Sequence, residues 1–138
     1  MNKALNYLSL ARKGGMVELG EEPVGAIARS GKAYVILVAG DASDHTWRRA
    51  KSFAAGTEQQ CVRLQCTKEE MGFAVGRSSL AIAAVTDVAM ALALVQSLEN
   101  QERYTETLAV LTEKANKAKK RKQEAQAHKR NVRMGKKK

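Results

Sequence analysis

The chain has 138 residues and a net charge of +10, from 24 Lys and Arg against 14 Asp and Glu. That length holds one domain with a real core, not two. A short amphipathic N-terminus, the lack of an apolar run long enough for a bilayer and only two cysteines speak against an exported, membrane-spanning or disulfide-framed protein, so a cytoplasmic location is expected. The charge is uneven. Residues 1–113 carry 12 Lys and Arg against 13 Asp and Glu, a net of −1; residues 114–138 carry 12 against one, a net of +11. A neutral body with a basic tail is a layout of nucleic-acid-binding proteins.

In chain order, residues 2–12 place Leu5 and Leu8 on one helical face, and Gly14-Gly15 end the helix. Residues 16–19 read as a short strand. Gly20-Glu21-Glu22-Pro23 starts a second helix: proline is tolerated in the first turn, and the glutamates complement the positive end of the dipole. Gly31 stops it. Residues 33–39 are apolar almost throughout and predict a central strand buried on both faces. Residues 41–44 offer caps for a third helix through Trp47, Ala50 and Phe53, ending at Gly56. A third strand spans 61–64. Thr67 and Glu70 form a capping box for a helix over 68–75, stopped by Gly76. The last strand covers 80–85, and Asp87 caps a helix reaching Leu98.

This alternation predicts an α/β protein, a three-layer α/β/α sandwich on a four-stranded mixed sheet, mostly parallel, with helices on both faces. The domain is expected over 1–98, a helical extension over 99–113, and a basic tail over 114–138 that is disordered or a frayed helix when free.

Nothing in the chain reads as catalytic machinery. It has no Walker loop, no G-x-S-x-G elbow and no G-x-G-x-x-G, so a non-enzyme without cofactor or small-molecule substrate is expected. Cys61 and Cys66 lie in a C-x4-C spacing, and with only His45 and His128 to help, a zinc site is not expected. Cys61 reads as a small buried apolar residue. Trp47 reads as a core or half-buried residue.

Six blocks in order then carry a family resemblance: Gly20-Glu21-Glu22; Ser30-Gly31-Lys32-Ala33; the strand ending at Ala39; Asp41-Ala42-Ser43; Thr67-Lys68-Glu69-Glu70-Met71-Gly72; and Gly76. Over about residues 4–98 the chain resembles the kink-turn RNA-binding ribosomal protein family (the archaeal "seven-Ae" and eukaryotic "thirty-e" large-subunit types), and most of all its small bacterial YlxQ-like members. The resemblance implies the same three-layer fold and an activity of binding the sharply kinked internal loop of a folded RNA. It places the RNA face at Gly20, Glu21 and Glu22 and at the loop from Gly76 to Leu80. The chain departs from tight kink-turn binders at Glu22, where they carry Asn, and at Ala26, where they carry Lys.

The residue chemistry fits both loops. A glycine-led helix start lets a backbone come close and points N–H groups at phosphate. Arg77 supplies a cation, Ser78 and Ser79 hydroxyls, and Leu80 an apolar cover for an unstacked base. Each group also has a plainer role. Glu21 and Glu22 satisfy the helix dipole, Arg77, Ser78 and Ser79 form a turn, and Lys32, Arg12 and Lys13 are solvated turn residues as readily as phosphate ligands. Lys114, Lys117, Lys119, Lys120, Arg121 and Lys122 read as a sequence-independent RNA arm or as a solubilising tail. The expected function is a non-enzymatic RNA-binding protein for bent or kinked structured RNA, ribosome-associated, with ribosomal RNA as partner. The alternative is a module that binds a ribosomal or translation-factor protein and has lost kink-turn recognition.

Overall fold

A computed structural model describes residues 2–135, with side chains through residue 127. The elements follow as α1 (Lys3–Lys13), β1 (Val17–Leu19), α2 (Glu21–Arg29), β2 (Val35–Val38), α3 (Asp44–Ala54), β3 (Gln60–Arg63), α4 (Lys68–Ala74), β4 (Ile82–Val85), α5 (Val88–Gln96), a 3-10 turn (Gln101–Tyr104) and α6 (Thr105–Gly135). Helices α2 and α3 pack together on one face of the sheet, α1, α4 and α5 cover the other, and α6 lies on α5. The three-layer α/β sandwich expected from the alternation is the one observed.

The sheet is four-stranded and mixed, in the order β1-β4-β2-β3. The expectation of a mostly parallel sheet is corrected. Strands β1, β2 and β3 share one direction, but β4 runs the other way between β1 and β2, so only β2 and β3 form a parallel pair. The cause is the connection before β4. Helix α4 has only 7 residues, and the chain doubles back along it until the Leu80 N–H donates to the Lys68 carbonyl at 2.9 Å. Strand β4 therefore begins at the end of the sheet where β3 finishes.

Strands β2 and β4 are buried at all four positions, as a strand covered by helices on both faces requires. The register defines two ends. Leu19, Val38, Arg63 and Ile82 mark the end that leads into Gly20; Val17, Val35, Gln60 and Val85 mark the far end.

The segment after residue 98, expected as a helical extension outside the domain, forms the 3-10 turn and α6 and packs on the core. Leu111 is fully buried, and Tyr104 and Leu108 pack against the same core, so the first turns of α6 are part of the folded body. The stretch from Lys114, expected to be disordered or a frayed helix when free, continues that helix to Gly135. Its Ala, Lys, Arg, Gln and Glu content is made of strong helix formers, and the packed turns before it supply the costly nucleus. Residues 136–138 lie outside the described residues.

Candidate nucleic-acid interface

Two loops meet at the Gly20 end. Gly20 takes φ 95° and ψ 160°, a conformation open to glycine and not to L side chains. Its N–H donates to the Ile82 carbonyl at 3.0 Å, and its own carbonyl accepts from Val24 at 3.0 Å, so strand β4 and helix α2 hold it from both sides. No side chain caps the helix here, and of its first three positions Glu21 and Glu22 carry an N–H while Pro23 has none. A Cβ built on Gly20 would sit 3.9 Å from Nη1 of Arg77. The corner thus joins an uncapped helix start, which favours anions, to an exposed guanidinium from a loop some 57 residues later in the chain.

The Arg77 loop is held by contacts that no side chain could enter. The Arg77 N–H donates to the Gly72 carbonyl at 2.8 Å, and Gly76 turns the chain at φ 77°. A Cβ on Gly72 would lie 2.6 Å from the Ser79 nitrogen and 2.7 Å from its Cα. Arg77, Ser78 and Ser79 are exposed, as a contact surface needs. Leu80 is not: it is 4% exposed and belongs to the core, so the base-covering role expected of it is corrected. Its N–H bond to Lys68 draws it inward as the chain enters β4.

The two glutamates differ. Glu21 is paired with Arg49 of α3 at 2.5 Å, and the Arg49 guanidinium stacks on Phe53 with 5.4 Å to the ring centre. Phe53 in turn packs where α2 carries Gly25, whose Cβ position is 3.0 Å from the ring. Glu21 is thereby tied into the α2–α3 contact. Glu22 is exposed and joins no ion pair among the described residues. The neighbouring loops are pinned as well. A Cβ on Gly40 would lie 2.7 Å from the Leu64 carbonyl oxygen, and Asp41 accepts from the Lys68 N–H at 2.8 Å.

The other expected contacts lie elsewhere. Lys32 follows the last turn of α2 and is exposed at the far end of the sheet. Lys117, Lys119, Lys120, Arg121 and Lys122 are exposed on α6. Lys114 is bound to Glu58 at 2.9 Å and Lys117 to Glu113 at 3.2 Å. The structure brings Gly20, Glu21, Glu22 and Arg77 together and leaves Lys32 and the basic segment at the opposite end.

One residue escaped the sequence reading. Phe73, on the last turn of α4 just before the Arg77 loop, is 83% exposed. Its spacing against buried Met71, Gly72 and Val75 shows that it faces out, which helical periodicity alone predicts.

Trp47 is half-buried between two cations, with Arg63 5.3 Å and Lys51 5.5 Å from its ring centre. Cys61 is half-buried rather than buried, and Cys66 is the buried one. Burial pushes the Cys61 thiol up to about 12 and the Cys66 thiol up to about 11, which leaves neither a ready thiolate at neutral pH. Among the described residues, no three His, Cys, Asp or Glu side chains gather as a metal site, and no helix is long and apolar enough to cross a membrane.

No protein-family model matches the chain. It is 37% identical over 62 residues to the RNA-binding protein YlxQ of Enterococcus faecium, a match covering 45% of this chain and 60% of that protein's length. The chain therefore spans about 60% of the curated relative it matches. A solved structure of a protein of unknown function from Bacillus halodurans C overlays at TM-score 0.66 and 21% identity, covering 70% of this chain and 97% of that one, which shows the shared fold. The 15.5kD RNA binding protein of Giardia lamblia overlays more loosely, at TM-score 0.49 and 15% identity over 79% of this chain and 82% of that one, and adds no weight. The resemblance read from the sequence has this support: over 62 residues the chain is similar to a protein named RNA-binding protein YlxQ.

Proposed function

We propose that this chain is a non-enzymatic, cytoplasmic RNA-binding protein that seats a bent or kinked segment of structured RNA on the Gly20–Arg77 corner, in association with the ribosome and with ribosomal RNA as its partner. The observation that carries the reading is the meeting of two loops far apart in sequence, which brings the uncapped start of α2 to within contact of the Arg77 guanidinium. Free N–H groups and a cation converging on one exposed point suit a phosphate at a backbone bend. Ser78 and Ser79 add hydroxyls for sugar or base edges, and exposed Phe73 adds a ring on which an unpaired base can stack. The RNA-binding name of the YlxQ relative supports the same class of partner.

A second reading has its own support. Glu22 is an exposed carboxylate at the corner where a phosphate would approach, and an ionised Glu accepts but does not donate. With Phe73 exposed nearby, the corner also suits a protein partner of the ribosome or of translation.

The experiment is a low-salt gel shift of the full chain against a kink-turn RNA and a straight duplex of equal length, repeated with Arg77→Ala. The kink-turn RNA should bind more tightly than the duplex, and Arg77→Ala should weaken it by about tenfold, the loss of one charge-assisted contact. Equal binding of both RNAs, untouched by Arg77→Ala, overturns the corner as an RNA site and leaves the protein-binding reading.

A further inference from the structure

The two ends of the sheet differ in charge. At the Gly20 end the loops and helix starts present Glu22, Asp41, Asp44, Glu69 and Glu70 among Lys3, Arg48, Arg63, Lys68 and Arg77, a near balance. At the far end, α1 finishes on Arg12 and Lys13, and the turn after α2 carries Lys32. Of the acids there, Glu58 is bound by Lys114 at 2.9 Å, and Asp87 caps α5 by accepting from the Met90 N–H at 2.9 Å and lies beside Lys119 and Lys122. Arg29 is set apart, because its guanidinium folds back to 3.3 Å from the Gly25 Cβ position.

Helix α6 delivers the rest of the positive charge to that same end. Lys114 shares a groove with Gly31, Ala33 and Tyr34, next to Lys32. Ala118, Lys119 and Lys122 then lie beside Asp87 and Val88, where α5 begins at the far end. Helix α6 so runs antiparallel to α5, and its remaining residues, 123–135, extend about 20 Å at 1.5 Å per residue beyond that point.

We propose that the far end is a second RNA-binding face, separate from the Gly20–Arg77 corner, and that it holds the phosphate backbone of another RNA segment so that one protein bridges two. Arg12, Lys13 and Lys32 would form this face with Lys119, Lys120 and Lys122 of α6. The chemistry on show is cations on flexible stems, beside the half-buried Tyr34 ring, which suits phosphates and reads no sequence. Complementing helix dipoles accounts for Arg12 and Lys13 at the end of α1, but not for Lys32 outside a helix or for a run of cations within α6. The 9 residues of α2, about 14 Å at 1.5 Å per residue, lie between Gly20 and the turn that carries Lys32.

This rests on the proposed function for its choice of RNA as partner, and the test separates the two. The probes are a straight RNA duplex of arbitrary sequence and a kink-turn RNA, one labelled with a donor dye and the other with an acceptor. The proteins are the full chain, its Arg12→Gln/Lys13→Gln/Lys32→Gln variant and Arg77→Ala, each checked for an unchanged melting curve. The native chain should bring the two RNAs into energy transfer. The triple variant should lose that transfer, bind the duplex about tenfold more weakly and show a salt slope flatter by up to about one unit per lost contact. It should keep the Arg77-dependent part of kink-turn binding. If the triple variant binds duplex with native affinity and slope, or still bridges the two RNAs, the far-end face is overturned. If Arg77→Ala changes nothing while the triple variant loses duplex binding, the corner reading falls and the far-end face stands. If the native chain binds neither RNA at low salt, both fall.

Discussion

At the Gly20 end of the sheet, backbone rests on backbone. Cβ atoms on Gly40 and Gly72 would come within 2.7 Å and 2.6 Å of main-chain atoms of Leu64 and Ser79. At the far end, Gly15, Gly31 and Gly56 each take a positive φ, yet a Cβ on any of them would meet nothing within 4 Å. The first set of glycines is demanded by space, the second by backbone rotation alone. The comparison locates close backbone packing at Gly40 and Gly72, in the loops beside Asp41 and Arg77, whereas Gly76 of the Arg77 loop is open like the far-end glycines. The far end is an open set of turns decorated with cations, which suits a partner bound through charge rather than shape.

The sharpest way to break this comparison is Gly72→Ala. The new methyl group meets main chain on Ser79, which cannot move as a flexible side-chain tip would. Overpacking of this kind costs about 1–3 kcal/mol, and the relief available is to lift the Arg77–Ser79 loop. Chemical denaturation should show that loss, and the same variant should bind kink-turn RNA more weakly than its residual stability accounts for. A shift below about 0.5 kcal/mol would show that the loop is not held by this contact.

Gly31→Ala is the matched change at the other end. Here there is room for the methyl group, and only the φ of 76° resists it. The expected cost is about 1 kcal/mol, and Gly31→Asn should recover most of it, because Asn tolerates the left-handed region. If Gly31→Asn proves as harmful as Gly72→Ala in the same denaturation series, the far end is packed more tightly than its open turns show.

The sequence carried much of this at the level of elements and little at the level of their arrangement. Thr67 and Glu70 announced their capping box, and both of its bonds are present, at 3.1 Å and 2.9 Å. The apolar run at residues 33–39 announced a strand covered on both faces, because no alternation means no solvated side. The reversal of β4 was hidden, since alternating helices and strands say nothing of a chain that doubles back along a two-turn helix. Leu80 was given two roles, first residue of the last strand and apolar cover in the loop that the resemblance marks, and burial in the core leaves it only the first. Helix α6 was expected as an extension over 99–113, but its packing on the core was not foreseen, although the pattern was legible. Leu108, Leu111, Ala115, Ala118 and Lys122 recur at spacings of three and four, a stripe that runs on into the lysine-rich segment beneath its charge. The meeting of Gly20 with Arg77 was not legible from either loop alone and entered only through the family resemblance.

The smallest expected effect concerns the joint between the far end and α6. Lys114 donates to the Glu58 carboxylate at 2.9 Å, and this bond, with the charge of Lys114 and then of Lys117, holds the Glu58 carboxyl below its ordinary range, against a slight upward push from burial. A carboxyl with a depressed value in the fold adds stability above its unfolded value, and loses it as pH falls through the folded one. The gap in melting temperature between the native chain and Glu58→Gln should therefore be present at about pH 6 and narrow as pH falls through the depressed folded value. Because the pair is exposed, the gap should also shrink in high salt. A gap that stays constant across that pH range would mean that the carboxylate charge contributes nothing, and that α6 is anchored by Leu111 and its apolar neighbours alone.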